Sequence, residues 1–287
     1  MKRSDLVLSL GQRLLLLLFI FIVCYAITAL AVGFISGILK ENIPAALRIG
    51  ATLQDVFAFI VPAIATAMIV TRRPAELLCL TKLPVLKVLL LIVAMLFVSI
   101  PIQENIIYWN YHVELPDSLQ GFSQMARNLE DANFHTMCTL MGNTSVGALI
   151  VNLLIIGLAA GFSEELLFRG CFQRLLTTGG VNRHLAIWIV AIVFSAMHFQ
   201  FYGFVPRMLL GAYFGYLLIW TNSLWAPILA HVLNNMMFVI VAWHQVRTGH
   251  ALTNEPTLYP VVYAIGSAIL VAAVLFFMHR SSSTKIS

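Results

Sequence analysis

The sequence predicts an all-α protein, a polytopic membrane bundle of about eight transmembrane helices around a polar cavity. Two properties of the composition indicate the membrane: 60% of the 287 residues are hydrophobic and only 10% are charged, whereas soluble domains carry about 25% charged residues. The mean hydropathy is +0.91. The cavity is predicted by ionisable and amide side chains inside three late apolar segments, because such groups are costly in a membrane unless they are paired or hydrated.

Apolar stretches of about 20 residues, the length that crosses a bilayer as a helix, divide the chain into its predicted spans. Their approximate bounds are 14–38, 50–71, 86–108, 144–176, 184–201, 205–221, 224–243 and 258–279. The fourth span is long and polar in its second half, and the fifth to seventh follow one another with almost no loop. We expect residues 1–287 to form a single membrane domain.

The distribution of lysine and arginine predicts the orientation of this integral, multi-pass protein. Short cytoplasmic loops of membrane proteins are enriched in these residues. With both termini cytoplasmic, one side of the membrane collects most of the basic residues: Lys2, Arg3, Arg13, Arg72, Arg73, Lys82, Lys87, Arg174, Arg183, Arg280 and Lys285. The net charge of +5 does not indicate nucleic acid as a partner, because these residues are spread over the span ends and form no patch.

The longest loop, residues 110–142, has its own periodic pattern. Apolar residues recur near helical spacing between polar ones, at Leu119, Phe122, Met125, Ala126 and Leu129. This pattern predicts an amphipathic helix at the membrane interface. An ordered cap on the bundle and a gate for substrate are both compatible with it.

Residues 161–169, Gly-Phe-Ser-Glu-Glu-Leu-Leu-Phe-Arg, place three charges in one predicted helix. Glu165 and Arg169 are four residues apart and share a helix face. We therefore predict a structural ion pair, which leaves neither charge stranded in the low dielectric of the bundle. Glu164 points about 100° away, because a helix has about 3.6 residues per turn. It is free to face a cavity and to act as the base that takes a proton from water.

Histidine and asparagine side chains on two later spans complete the polar set. His198 lies near the middle of the predicted span 184–201, and His231 and Asn235 share a face of the seventh span. Singly, each can be a hydrogen-bonding group between helices. Jointly with Glu164 they supply what amide hydrolysis requires, a base for water and donors for the developing oxyanion. Asn235 suits the donor role because its neutral side chain cannot act as a base.

Two other chemistries remain open from the residues alone. Two histidines and one carboxylate form the ligand set of some zinc sites, so Glu164, His198 and His231 are the ligands if zinc is bound. We expect no cofactor, because the H-E-x-x-H spacing is absent and the three residues come from different helices. A Ser195 or Cys171 nucleophile has weaker support, since neither has the strand-to-helix elbow or the orienting acid of such sites.

Three motifs carry a resemblance to a known family. They are Glu164-Glu165-x-x-x-Arg169, Phe194-x-x-x-His198 and His231-x-x-x-Asn235. In order, spacing and placement on late hydrophobic spans, they resemble the motifs of the CAAX-protease and bacteriocin-processing (CPBP) family of intramembrane endopeptidases, also labelled abortive-infection proteins. The resemblance covers about residues 155–240, and the first 140 residues match only in being hydrophobic.

The resemblance implies an eight-helix bundle with a water-filled cavity open to the cytoplasm, and a glutamate-dependent mechanism. Glu164 and His198 would activate the attacking water. His231 and Asn235 would hold the oxyanion, and the Glu165–Arg169 pair would brace the site. The helices of residues 144–243 would then form the catalytic core.

Three functions are compatible with the sequence. The leading one is an intramembrane endopeptidase that hydrolyses a peptide bond near the cytoplasmic face, with the lipid bilayer and a peptide or membrane-protein substrate, with or without a lipid, as partners. The second is a non-catalytic membrane scaffold or immunity factor that binds a peptide in the same cavity. A solute or ion transporter is suggested only by the buried ionisable residues, without the inverted repeats that transporters use.

Overall fold

The computed structural model describes residues 6–283, and all regular secondary structure in that range is helical. The all-α prediction is therefore confirmed for the described residues. The basic residues at positions 2, 3 and 285 that enter the orientation prediction lie outside them. The main helices are α1 Leu10–Ile38, α2 Ile43–Val70, α3 Leu86–Val98, α4 Ile100–Tyr111, α5 Gln120–Met141, α6 Val146–Thr178, α7 Arg183–Ala196, α8 Phe204–Thr221, α9 Trp225–Arg247 and α10 Val261–Ser283.

Six of these helices are long and apolar enough to cross a membrane, which agrees with an integral, multi-pass protein. They are α1, α2, α6, α8 with its preceding turn, α9 and α10. The pair α3 and α4 is a possible seventh span, bent by 52°. Pro101 lies in the first turn of α4, where its ring and missing N–H prevent one straight helix from continuing through the bend.

The fifth predicted span, residues 184–201, differs most from the prediction. Helix α7 has 14 residues and rises about 21 Å at about 1.5 Å per residue, less than the hydrocarbon thickness of about 30 Å. It ends at Ala196, so His198 lies in a turn beyond the helix and not near the middle of a span. Phe199, the next residue, has a φ of 54°, which a bulky side chain rarely adopts and which marks the chain reversal.

Helix packing brings the polar segments together. Helix α9 packs along α6, α7 packs on α8, α1 lies against α2, and α10 contacts α3 and α4. One face of α1 exposes large apolar side chains such as Leu15, Phe19 and Ile22, as expected of a surface in contact with lipid. Gly161 lies where the α6 and α9 backbones approach closely, since a Cβ there would stand 3.0 Å from the backbone nitrogen of Val232.

The amphipathic helix predicted in the loop 110–142 is present as α5. Phe122, Met125 and Leu129 are exposed, whereas Ala126 and Glu130 are buried. Its buried face covers the turn that follows α7, where the Ser123 hydroxyl lies 2.8 Å from the Tyr202 hydroxyl. Helix α5 therefore covers the turn that carries His198.

Substituting Gly161→Ala should destabilise the bundle, because the new methyl group would press on the backbone of α9 and overpacking costs about 1–3 kcal/mol. Gly147→Ala is the matched control on the same helix, since nothing lies within 4 Å of its Cβ position. Thermal unfolding in detergent should show a lower apparent Tm for Gly161→Ala alone. Equal Tm values for the two variants would mean that α6 and α9 are not in close contact.

Candidate active site

Three stretches of wider, π-helical winding surround the polar groups: Gln54–Ile60 in α2, and Leu153–Ala159 and Leu166–Gln173 in α6. The last two lie on either side of Glu164 and Glu165, and the second begins immediately after Glu165. Segments of π-helix are rare and occur frequently at functional sites, because they re-aim side chains out of the regular helical register. The unusual winding of α6 therefore coincides with its charged residues.

A fully buried ion pair lies at the centre of the site. Arg169 Nη1 donates to Glu165 Oε1 over 2.7 Å, and both side chains are 0% exposed. The pair predicted from their i, i+4 spacing is therefore present. The same oxygen of Glu165 lies 2.9 Å from His231 Nδ1, so it also joins α6 to α9.

Two glycine carbonyls on α8 complete the surroundings of this pair. Arg169 Nη2 donates to the Gly211 carbonyl over 2.8 Å, and the Gln173 amide donates to the Gly215 carbonyl over 3.0 Å. A Cβ at Gly211 would lie 3.0 Å from Arg169 Nη2. The two glycines of Gly211-x-x-x-Gly215 therefore lie at a contact between helices of one bundle. Their lack of side chains lets α6 and α8 approach closely enough for these hydrogen bonds.

Glu164 is placed differently from its neighbour, as its position on the helix predicts. Its side chain is 15% exposed and forms no ion pair with Arg169. Its Oε2 lies 3.9 Å from His231 Nε2, which is too long for a hydrogen bond. That oxygen is buried and has no hydrogen-bond partner among the described residues. Glu164 therefore has a free acceptor beside an imidazole.

The two histidines approach the same glutamate from different elements. His198 Nδ1 lies 2.8 Å from the Phe194 carbonyl, to which it must donate a hydrogen. In the neutral ring its Nε2 is then unprotonated and can accept a proton. His198 also interacts electrostatically with Glu164 and with His231. Phe194 contacts both imidazoles edge-on, at ring-centroid distances of 5.0 Å and 5.9 Å.

Asn235 lies one turn after His231 on α9, and one of its two side-chain N–H donors is already hydrogen-bonded. Its Nδ2 donates to the Ile156 carbonyl, in a π-helical segment of α6, over 3.2 Å. An amide nitrogen carries two hydrogens, so one donor remains. Asn234 Nδ2 lies 3.5 Å from the Asn235 side-chain oxygen.

Two polar groups next to the site have partners that the sequence did not predict. The first is Asp55, which the sequence shows as a buried acid of the second predicted span with no basic partner on its helix face, in contact either with a polar cavity or with the interface. Its partner lies 108 residues away: the Ser163 hydroxyl donates to Asp55 Oδ1 over 2.8 Å. Asp55 also interacts electrostatically with Glu164. Its position in an apolar segment was a signal, but only helix packing could reveal Ser163 as its partner.

The second of these groups links the site to α5. Arg207 Nη2 donates to Gln200 Oε1 over 2.6 Å, and Gln200 Nε2 donates to Glu130 Oε2 over 3.1 Å. The other oxygen of Glu130 accepts from the Tyr202 amide over 3.1 Å. Burial raises the pKa of Glu130, and the nearby Arg207 guanidinium opposes that rise. Arg207 also interacts electrostatically with Glu164.

The two alternative nucleophiles, Ser195 and Cys171, are engaged in packing contacts. The Ser195 hydroxyl donates to the Phe204 carbonyl over 2.6 Å and ties α7 to the start of α8. Cys171 is fully buried in the apolar core. Across residues 6–283, no three or more histidine, cysteine, aspartate or glutamate side chains are grouped in the manner of a metal site.

Comparison with known proteins agrees with the motifs. Residues 146–237 match the family model described as type II CAAX prenyl endopeptidase Rce1-like. A curated relative, the uncharacterized protein YpbD of Bacillus subtilis (strain 168), is 27% identical over 105 residues, which cover 35% of this chain and 49% of that protein. The chain thus spans about half the length of the curated relative it matches. No solved structure matches the chain.

The matched segment contains all three motifs, so the resemblance to the CAAX-protease family is confirmed where the polar site lies. Together, the long apolar helices and this match describe a multi-pass membrane protein whose polar site lies in a segment similar to type II CAAX prenyl endopeptidases.

Substituting Arg169→Ala should unfold or strongly destabilise the protein, because it leaves the Glu165 carboxylate unpaired in the core. Removing one partner of a buried pair costs about 3–5 kcal/mol. Arg73→Ala is the matched control, since its pair with Glu76 is exposed and exposed pairs contribute little. Apparent Tm values in detergent give the comparison. Equal Tm losses for the two variants would contradict a structural role for the buried pair.

Proposed function

We propose that this protein is an intramembrane endopeptidase that uses a water molecule activated by glutamate and histidine. The main observation behind the proposal is the buried, unpartnered oxygen of Glu164, which lies 3.9 Å from the His231 imidazole and interacts electrostatically with His198. All three residues lie in the segment that matches the endopeptidase family model. A carboxylate in that position is able to take a proton from water at the moment of attack.

In the proposed reaction, water attacks the carbonyl carbon of the scissile peptide bond and passes its proton to Glu164, with His198 Nε2 as a second acceptor. The Asn235 amide and the His231 imidazole donate hydrogen bonds to the developing oxyanion. When the intermediate collapses, the C–N bond breaks and the proton held by Glu164 moves to the leaving amine. Glu165 accepts a hydrogen bond from His231 Nδ1 and so orients the ring, which donates from Nε2 when both ring nitrogens carry a hydrogen.

The proposal requires no cofactor. Zinc bound by Glu164, His198 and His231 is the alternative way to activate water. The two mechanisms differ in their response to chelation, which should leave a glutamate-dependent activity intact.

A peptide or membrane-protein substrate, with or without an attached lipid, fits the surroundings of the site. An apolar cavity of about 310 Å³ lies between α3, α4, α8, α9 and α10. Phe214 lines this cavity and stacks on His231 at a ring-centroid distance of 4.9 Å. An apolar chain in the cavity would therefore lie next to the proposed oxyanion site.

Two expectations about the side of the membrane on which cleavage occurs conflict with each other. Polar side chains continue from Glu164 through Arg207 and Gln200 to Glu130 on α5, which favours substrate entry at the α5 end. The charge bias predicts that this end is not cytoplasmic. The family resemblance, in contrast, implies a cytoplasmic opening.

Substituting Glu164→Gln should lower the cleavage rate by about 10²–10⁴-fold, the usual contribution of a general base. His198→Ala should also lower it, because the second proton acceptor is lost. The measurement uses purified protein in nanodiscs with a quenched-peptide library that includes prenylated and unprenylated members. Glu114→Gln, an exposed carboxylate far from the site in sequence, should leave the rate unchanged.

Unchanged cleavage in both site variants, with folding retained, would sink the glutamate mechanism. Wild-type cleavage that disappears with o-phenanthroline, while the bundle stays folded, would favour zinc. Peptide binding without cleavage in wild type and in Glu164→Gln would favour the non-catalytic scaffold.

Cysteine labelling can identify the membrane side of the α5 end. Cys138 lies on α5 and is partly exposed. In a variant whose other cysteines are replaced by serine or alanine, the charge bias predicts that an impermeant maleimide labels Cys138 from outside the cell. Labelling only in inverted vesicles would instead support a cytoplasmic α5 end and reject the orientation predicted from charge.

A further inference from the structure

Arg207 is a partly buried cation that uses only part of its hydrogen-bonding capacity. It lies in the first turn of α8, after the turn that carries His198. Its Nη2 is occupied by Gln200, but its Nη1 is buried and has no hydrogen-bond partner among the described residues. A buried, charged donor without an acceptor is costly, so such a group calls for an explanation.

The nearest carboxylates do not neutralise Arg207 directly. Gln200 stands between the guanidinium and Glu130, accepting from one and donating to the other. Arg207 thus differs from Arg73 and Arg169, each of which forms a direct salt bridge with a glutamate. Glu164 and Glu130 interact with Arg207 electrostatically, without a direct ion pair.

Comparison with Arg169 shows what is unusual. Arg169 binds the Glu165 carboxylate and the Gly211 carbonyl, and it is enclosed by packed helices. Arg207 is less enclosed and interacts with the glutamate and the histidine proposed to activate water. Arg169 therefore stabilises the packed helices, whereas Arg207 keeps an N–H donor available near the residues proposed to activate water.

We propose that Arg207 binds a carboxylate of the peptide substrate, and so determines which peptides are cleaved. The inference rests on the proposed endopeptidase function. A guanidinium is planar and carries five donors, so it can hold a carboxylate through paired hydrogen bonds. In a peptide, that carboxylate is either the free C-terminus or an Asp or Glu side chain close to the scissile bond.

Gln200 and Glu130 have a supporting role in this arrangement. They fix one edge of the guanidinium and leave the other edge for the ligand. Because Glu130 is held away from Arg207 by Gln200, the arginine is positioned without being neutralised by a direct ion pair.

The test compares matched peptides in wild type and in Arg207→Gln. One pair differs only in a free or amidated C-terminus, and a second pair differs only in an acidic side chain or its amide. For the pair that contains the recognised carboxylate, wild type should have a KM lower by about 10–100-fold, the range of one charged hydrogen bond. Arg207→Gln should lose this preference, so that its KM values for the acid and the amide of that pair become equal. Which pair shows the preference identifies the source of the carboxylate.

Arg127→Gln is the matched control. Arg127 is on α5, donates to the Tyr111 carbonyl and stacks on Tyr202, 3.4 Å from the ring centroid, so it is an arginine at the same end of the bundle. It should keep the wild-type preference. If Arg207→Gln does not fold, Arg207→Lys keeps the charge and should retain a reduced preference, because a lysine lacks the planar fork.

Binding of the same peptides to Glu164→Gln provides a second measurement that does not need turnover. Tighter binding of the acid than of the amide, lost in Glu164→Gln/Arg207→Gln, supports the inference even if no library peptide is cleaved. Equal cleavage of acid and amide by wild type would overturn it while leaving the endopeptidase intact. Equal binding of acid and amide to Glu164→Gln would overturn it independently of catalysis.

Discussion

The buried contact of Glu165 with Arg169 and His231 holds the polar interior of the bundle together. It places a carboxylate, a guanidinium and an imidazole in the interior of an apolar bundle. Such charges are tolerated only when each is paired and hydrogen-bonded. One carboxylate oxygen, Glu165 Oε1, meets both partners, so the position of α9 relative to α6 is tied to the ion pair. The surrounding helices must then pack closely enough to exclude other partners.

That requirement explains the small residues and the irregular winding around the site. Gly161 allows α9 to contact α6, and Gly211 allows the α8 backbone to accept a hydrogen bond from Arg169. The π-helical segments of α6 rotate Glu164 and Glu165 relative to the rest of the helix. The Ile156 carbonyl, in one of these segments, accepts a hydrogen bond from the Asn235 side chain. Close packing and altered helical register therefore serve the same polar cluster.

The second constraint is the short helix α7. Because α7 ends at Ala196, the turn after it can bring His198 to the glutamates, and Gln200 and Tyr202 to the Glu130 carboxylate of α5. A longer helix would carry His198 on a continuous surface and leave no exposed backbone amide for Glu130. The bundle thus combines a fully buried half around the Glu165–Arg169 ion pair with a less enclosed half around Glu164 and Arg207, and the proposed chemistry belongs to the second half.

The features that depend on local geometry follow from the sequence alone. Length and hydropathy predict the long apolar helices, and i, i+4 spacing predicts the Glu165–Arg169 pair, because both follow from the pitch of a helix. Tertiary structure decided the contacts between helices: Asp55 with Ser163, Asn235 with Ile156, and Arg207 beside Glu164. It also decided that α7 stops before His198, since the turn is stabilised by contacts with α5 and α8 and not by its own residues alone. No periodicity within one segment encodes such distant pairs, because they exist only once the helices have packed.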